Sequence, residues 1–207
     1  MPGNALRLCT LRNFLALGDS YTIGEGVDEA GRWPSQLASS LGLDTPEILA
    51  QTGWTTDELA AAMNVYAFHP AYALVTLLIG VNDQYRGRDL AGYRQEFTGL
   101  LRRAIELAGA PQRVVVVSIP DWSVTPFARA SGRDLSAIGR AIDVYNTANA
   151  DVARTQHVHY ADVTAISRDR GGAADMLVSD GLHPSAAMYT RWLETILPAA
   201  RAALPAR

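Results

Sequence analysis

Hydrophobic positions in this chain fall into two kinds of block. Short, mostly apolar runs occur at Phe14–Leu17, Glu47–Ala50, Tyr72–Ile79, Val114–Ile119 and Val158–Tyr160. Continuous apolar runs of this length read as strands of a parallel sheet covered on both faces. The other blocks space their apolar residues three and four apart, as one face of a helix does. Tyr93, Phe97, Leu100, Leu101, Ala104 and Ala108 form such a stripe from Leu90 to Ala108. Leu135, Ile138, Ile142, Tyr145 and Val152 form another in Asp134–Arg154, and Met188, Trp192, Ile196 and Ala199 a third after Pro184. Two shorter helices are expected. Trp33–Leu41 has Pro34 at a favourable early position. Thr55 and Glu58 have capping-box spacing ahead of a helix reaching about Val65. Pro120–Gly132 and Ala161–Asp180 read as loops.

Strands and helices therefore alternate along the whole length. This predicts an α/β fold with three α/β/α layers around a five-stranded parallel sheet in flavodoxin-like order. With 207 residues, no internal repeat and no linker, the chain is expected to be one domain, 1–207, with residues 1–13 as an N-terminal tail.

Composition narrows the chemistry. The chain is 48% hydrophobic and 19% charged, with a formal net charge of −3. No basic stripe marks a nucleic-acid partner. All 18 cationic side chains are arginine. Schiff-base chemistry, Ser–Lys dyads and P-loop phosphate binding each need a lysine and are excluded. Cys9 is the single cysteine, so no intrachain disulfide forms, and its place in the tail argues against a nucleophilic role. No apolar run approaches the ~18 residues of a membrane span, and Arg7 and Arg12 interrupt the N-terminus. A cytoplasmic location is the expectation. The glycines of Gly24–Gly31 only superficially resemble a dinucleotide fingerprint, because Glu29 stands where the third glycine belongs. His157, His159 and Asp162 lack further ligands at metal-binding spacing, so no metal and no cofactor is expected.

Four polar clusters punctuate the pattern. Each follows a strand or precedes a helix: Gly18-Asp19-Ser20, Gly53, Asn82-Asp83 and Asp180-Gly181-Leu182-His183. Ligands of open α/β sheets sit beyond the carboxyl ends of the strands. A serine there becomes a nucleophile only with a base in reach. His183 alone among the four histidines has a carboxylate three residues upstream in a loop. Asp180 can hold its Nδ1–H and leave Nε2 to face Ser20. Acyl transfer also needs donors for an oxyanion, and the Ser20 N–H, Gly53 N–H and Asn82 amide come from three strand ends. Losing one such donor typically costs ~3 kcal/mol of transition-state stabilisation. Asp19 is expected to be a structural anchor.

These blocks, Gly18-Asp19-Ser20-Tyr21, Gly53, Gly80-Val81-Asn82-Asp83 and Asp180-Gly181-Leu182-His183-Pro184, resemble the SGNH (GDSL-type) hydrolase family. The resemblance runs from Phe14 into the last helix. It implies a flavodoxin-like fold, ester or thioester hydrolysis, Ser20 as nucleophile, His183 as base, Asp180 as orienting acid, and Ser20, Gly53 and Asn82 as oxyanion donors. One position departs: Tyr21 stands where the family usually has leucine. The Gly-x-Ser-x-Gly elbow of the α/β-hydrolases is absent, with Thr22 at its second glycine.

The expected reaction is hydrolysis of small carboxylic esters through an acyl-enzyme. The surroundings of the site look short in apolar residues, which favours short or polar acyl groups. Rival readings are an acyl-thioesterase or lysophospholipase, a carbohydrate acetyl esterase, and a non-enzymatic binding domain. Tyr21, Trp54, Gln84, Tyr85 and Arg86 directly follow the polar clusters and are candidates to line the site. Trp122 and Phe127 are candidates to cover it, and Arg86 could attract an anionic group. Oligomeric state is not readable from the sequence.

Overall fold

The computed structural model describes residues 11–204, so Cys9 and most of the expected tail lie outside the described residues. Strands β1 (Phe14–Gly18), β2 (Glu47–Ala50), β3 (Leu74–Leu78), β4 (Val114–Val117) and β5 (His159–Ala161) form one sheet. Its order is β2-β1-β3-β4-β5, and every neighbouring pair is parallel. This is the expected flavodoxin-like arrangement. The three middle strands β1, β3 and β4 are buried at every position, which is why they read as unbroken apolar runs.

Nine helices are assigned among the described residues: α1 (Ser20–Ile23), α2 (Trp33–Leu41), α3 (Thr56–Val65), α4 (Val81–Tyr85), α5 (Leu90–Ala108), α6 (Pro126–Ala130), α7 (Leu135–Thr155), α8 (Thr164–Arg170) and α9 (Ala186–Ala203). Helix α2 packs against α9, while α5 packs against α3 and α7. Right-handed crossovers put these two groups on opposite faces of the sheet. The stripes seen in the sequence are what they bury. Tyr93, Phe97, Leu100, Leu101, Ala104 and Ala108 of α5 are all buried, as are Met188, Trp192 and Ile196 of α9. The described residues share one hydrophobic core.

Capping fixes where the helices start. Glu58 Oε2 accepts the Thr55 N–H at 2.8 Å, the reciprocal half of the expected capping box. Asp89, Asp134 and Ser185 cap α5, α7 and α9 through their side chains. Gly109 ends α5 in the left-handed conformation.

Two loop expectations need correction. Pro120–Gly132 contains a 3-10 turn, Trp122–Val124, and then α6. Thr125 caps α6 by accepting the Ala128 N–H, and Pro126 occupies its first turn. Ala161–Asp180 contains α8 and a second 3-10 turn, Ala174–Met176. The Thr164 N–H that opens α8 is held by Asp162 Oδ1 and Ser118 Oγ. Helices of five and seven residues are too short to show a repeating apolar stripe, so only their caps betray them. No helix among the described residues is long and apolar enough to cross a membrane.

Leu77 sits fully buried in the central strand. Leu77→Ala should cost about 2–5 kcal/mol in urea unfolding with the m-value unchanged. Val144→Ala, on an exposed part of α7, should stay within about 0.5 kcal/mol of the parent.

Candidate active site

The site begins with strand register. Gly18, the last residue of β1, pairs with Ala50 at the end of β2 and with Leu78 at the end of β3. Three strands thus finish level, and the turns that follow emerge side by side. Gly18 is glycine because of crowding: a Cβ there would lie 2.2 Å from Thr22 Oγ1 and 2.4 Å from the Leu78 carbonyl.

Beyond β1, Asp19 caps α1 by accepting the Tyr21 N–H at 3.0 Å. Ser20 is the first residue of α1 and is 4% exposed. Its N–H has no protein acceptor among the described residues. Beyond β2, Gly53 lies in the tight turn after Gln51, with φ 88°. A Cβ there would meet nothing nearer than Arg86 Nη2 at 3.9 Å, so its glycine is required by conformation and not by space. The Gly53 N–H likewise has no protein acceptor among the described residues. Beyond β3, Asn82 is the second residue of α4 and donates through Nδ2 to the Trp54 carbonyl at 2.8 Å. That uses one of its two amide protons and leaves the other.

Asp180 and His183 arrive on the segment before α9. Asp180 Oδ1 accepts the backbone N–H groups of Leu182 and His183 at 2.8 and 2.9 Å. Its Oδ2 lies 2.6 Å from His183 Nδ1. Burial pushes the Asp180 carboxyl up, but the His183 ring and the two backbone N–H groups outweigh it and hold the group below its usual range. An ionised carboxylate only accepts, so Nδ1 carries a proton and Nε2 of the neutral ring is left as the acceptor. The Tyr21 ring packs 5.7 Å from the imidazole at 58°, and 6.2 Å from Trp192 behind it.

Ser20, Gly53, Asn82 and His183 line a single cavity of about 260 Å³ together with Tyr21, Thr52, Val81, Tyr85, Trp122, Phe127 and Leu182. The wall is therefore largely apolar and aromatic. This corrects the expectation of surroundings short in apolar residues. The cause is tertiary: Trp122, Phe127 and Leu182 come from segments far from Ser20 in sequence. Trp122 packs between Tyr85 and Phe127, at 5.5 and 6.2 Å between ring centroids. The Arg133 guanidinium lies 4.0 Å over the Tyr85 ring and backs this wall.

Three candidates are not in the wall. Trp54 contributes its carbonyl to Asn82. Gln84 Oε1 accepts the Trp122 indole N–H at 2.9 Å. Arg86 donates to the Gly53 carbonyl at 2.7 Å and reaches Glu58 at 3.4 Å. Each stands one layer behind. Thr52, Val81, Leu182 and Arg133 were not picked out from the sequence, although Thr52, Val81 and Leu182 each neighbour a candidate residue. No group of three or more His, Cys, Asp or Glu side chains among the described residues could hold a metal ion.

Two buried carboxyls lie beneath the site. Burial pushes Asp83 above its usual range, against hydrogen bonds from the Thr56 N–H and hydroxyl. Asp19 is pushed up to about 8, chiefly by burial and further by Asp83, with the Tyr21 N–H opposing.

Comparison with known proteins places this geometry. Residues 16–191 match the GDSL-like lipase/acylhydrolase family. The chain belongs to that family. It is accordingly a carboxylic ester hydrolase, as the resemblance of its blocks implied. Over 191 residues it is 25% identical to esterase TesA of Pseudomonas aeruginosa, covering 90% of this chain and 87% of that protein. A crystal structure of TesA superposes with a TM-score of 0.71 at 24% identity, covering 93% of this chain and 99% of the other. A lipase/acylhydrolase from Enterococcus faecalis gives 0.68 at 19% identity, covering 95% and 99%. These two structures share the fold.

The raised Asp19 has a stability signature. The native state holds this proton more tightly than the unfolded chain does. Its contribution is complete below the ordinary aspartate value and is lost as pH rises toward 8. The unfolding free energy of the parent minus that of Asp19→Asn should therefore fall steadily from about pH 4 to 8 and level off above. Urea titrations across that range would show it; a difference that rises or stays flat would contradict it.

Proposed function

We propose that this ester hydrolase works through an acyl-enzyme on Ser20 and takes short acyl groups. The observation that carries the reading is the convergence of four groups on one cavity. These are the Ser20 hydroxyl, the His183 imidazole, and the N–H groups of Ser20 and Gly53 that have no protein acceptor among the described residues. Asn82 adds its spare amide proton.

In this reading Ser20 Oγ attacks the ester carbonyl while His183 Nε2 takes its proton. The carbonyl oxygen becomes an oxyanion held by Ser20 N–H, Gly53 N–H and Asn82 Nδ2. Asp180 stabilises the imidazolium through Nδ1–H. The tetrahedral intermediate collapses, the C–O bond to the leaving group breaks, and His183 returns its proton to the departing alcohol. Water then repeats the sequence: His183 deprotonates it, the acyl–serine bond breaks, and the free acid leaves with Ser20 reprotonated.

Cavity size supports the acyl preference. About 260 Å³ is below the roughly 300–1,000 Å³ of sites that enclose drug-sized ligands. An apolar wall of that size suits a short aliphatic acyl chain better than a long lipid tail. Tyr85 and Phe127 are 42% and 38% exposed. These rings favour a carbohydrate acetyl ester as the second reading, because exposed rings at a site's rim can stack on a sugar. The same reading takes the whole chain as one catalytic domain, on the strength of the core that residues 11–204 share.

With p-nitrophenyl esters, turnover should be greatest from acetyl to butanoyl and fall for octanoyl and longer. Ser20→Ala should lower kcat by about 10⁶-fold, the scale for losing a serine nucleophile, with its melting temperature kept. Substantial turnover by Ser20→Ala would overturn the mechanism. A preference for dodecanoyl over butanoyl would overturn the acyl assignment. Faster release of acetate from acetylated xylose than from simple acetates would select the second reading.

A further inference from the structure

We propose that Arg86 is a positioning residue for the oxyanion donors, holding the Gly53 turn in place from the end of α4. This rests on the assignment of Gly53 and Asn82 as donors. Arg86 follows α4 directly, and its own N–H bonds back to the Asn82 carbonyl at 3.0 Å. Its side chain reaches across to the neighbouring turn and donates from Nη2 to the Gly53 carbonyl at 2.7 Å. Asn82, four residues earlier, grips the next carbonyl, Trp54, at 2.8 Å. Helix α4 thus holds two successive carbonyls of the turn that presents the Gly53 N–H.

The other arm of Arg86 closes the frame. Nη1 lies 3.4 Å from Glu58 Oε2, and that same oxygen accepts the Thr55 N–H at 2.8 Å. Both Arg86 and Glu58 are over two-fifths exposed, so the ion pair itself contributes little to stability. What the guanidinium supplies is geometry: a planar fork with one arm on the turn and one on the start of α3. Without the fork, the Gly53–Trp54 peptide keeps the Trp54 N–H bond to the Gln51 carbonyl at 3.2 Å but loses its carbonyl anchor, and with no Cβ at Gly53 the adjoining peptide that carries the Gly53 N–H can turn about φ. Arg86 is absent from the cavity wall. Its effect therefore passes through the direction of the Gly53 N–H, and a donor misplaced by about 1 Å can cost around 10²-fold in rate.

The test is steady-state kinetics on p-nitrophenyl butanoate with Arg86→Gln, Arg86→Lys and Ser20→Ala. Arg86→Gln should lower kcat by about 10–100-fold with KM within about twofold and little change in melting temperature. Arg86→Lys, which keeps one charged donor but not the fork, should recover part of the loss. Two results would overturn the proposal: a kcat for Arg86→Gln within about twofold of the parent, or a raised KM at unchanged kcat, which would make Arg86 a substrate-binding residue. If Arg86→Gln does not fold, Arg86→Lys decides: a kcat lowered at unchanged KM supports the proposal and a parental kcat overturns it. Ser20→Ala separates the two levels. An inactive Ser20→Ala beside a fully active Arg86→Gln rejects only the role of Arg86. An active Ser20→Ala rejects the underlying mechanism.

Discussion

The pairing of Gly18 with both Ala50 and Leu78 is the constraint on which the site depends. In a parallel sheet each strand is followed by its own crossover, so the residues just past three adjacent strands have no reason to cooperate unless those strands end level. Here they do. Ser20, Gly53 and Asn82 follow the three ends by two, three and four residues. A one-residue slip of β2 would move Gly53, and one of β3 would move Asn82, by about 3.3 Å relative to Ser20. The slip is resisted by burial of every residue in β1 and β3, and by Gly18, whose missing Cβ is what lets Thr22 and Leu78 close around it.

Hydrogen bonds between the turns then set the finer geometry. Asp83 joins α4 to the start of α3 through Thr56; Asn82 and Arg86 join α4 to the Gly53 turn. Backbone groups whose N–H bonds go unused inside the protein are ordinarily costly when buried. The N–H groups of Ser20 and Gly53, which find no acceptor among the described residues, border a cavity instead, where the proposed mechanism has an incoming carbonyl oxygen satisfy them. In the proposed mechanism the donors are oriented before the substrate arrives, so little reorganisation is needed when negative charge develops. Asp180 does the corresponding work on the imidazole. Three acceptor contacts lock its carboxylate, which in turn fixes the ring's proton on Nδ1.

The fold was legible in the sequence wherever a pattern was long enough to repeat. The stripes of α5 and α9 and the run before Gly80 could hardly be read otherwise, and Thr55 with Glu58 marked the start of α3 to the residue. Helices α6 and α8 escaped because five to seven residues give at most two turns. Ser20, Asn82, Asp180 and His183 were readable because each sits next to an element boundary that the pattern itself located. The cavity wall was legible in part: Tyr21 and Tyr85, beside polar blocks, and Trp122 and Phe127, in a loop past a strand, all line it. Its apolar character was not, because Trp122 and Phe127 meet Tyr85 only through the sheet order, and no local spacing encodes that contact. Arg86 shows the same gap in reverse: adjacency to a polar block suggested the substrate, whereas the side chain bends back to Gly53.

The central claim is that an acyl carbon on Ser20 places its oxygen among three donors from three strand ends. A crystal structure of the enzyme after reaction with a short alkyl fluorophosphonate tests it most directly, because the phosphonyl oxygen occupies the position of the oxyanion. The account predicts phosphorus bonded to Ser20 Oγ, with that oxygen about 2.7–3.1 Å from Ser20 N, Gly53 N and Asn82 Nδ2. An adduct on another residue, or a phosphonyl oxygen turned away from Gly53 and Asn82, would contradict it.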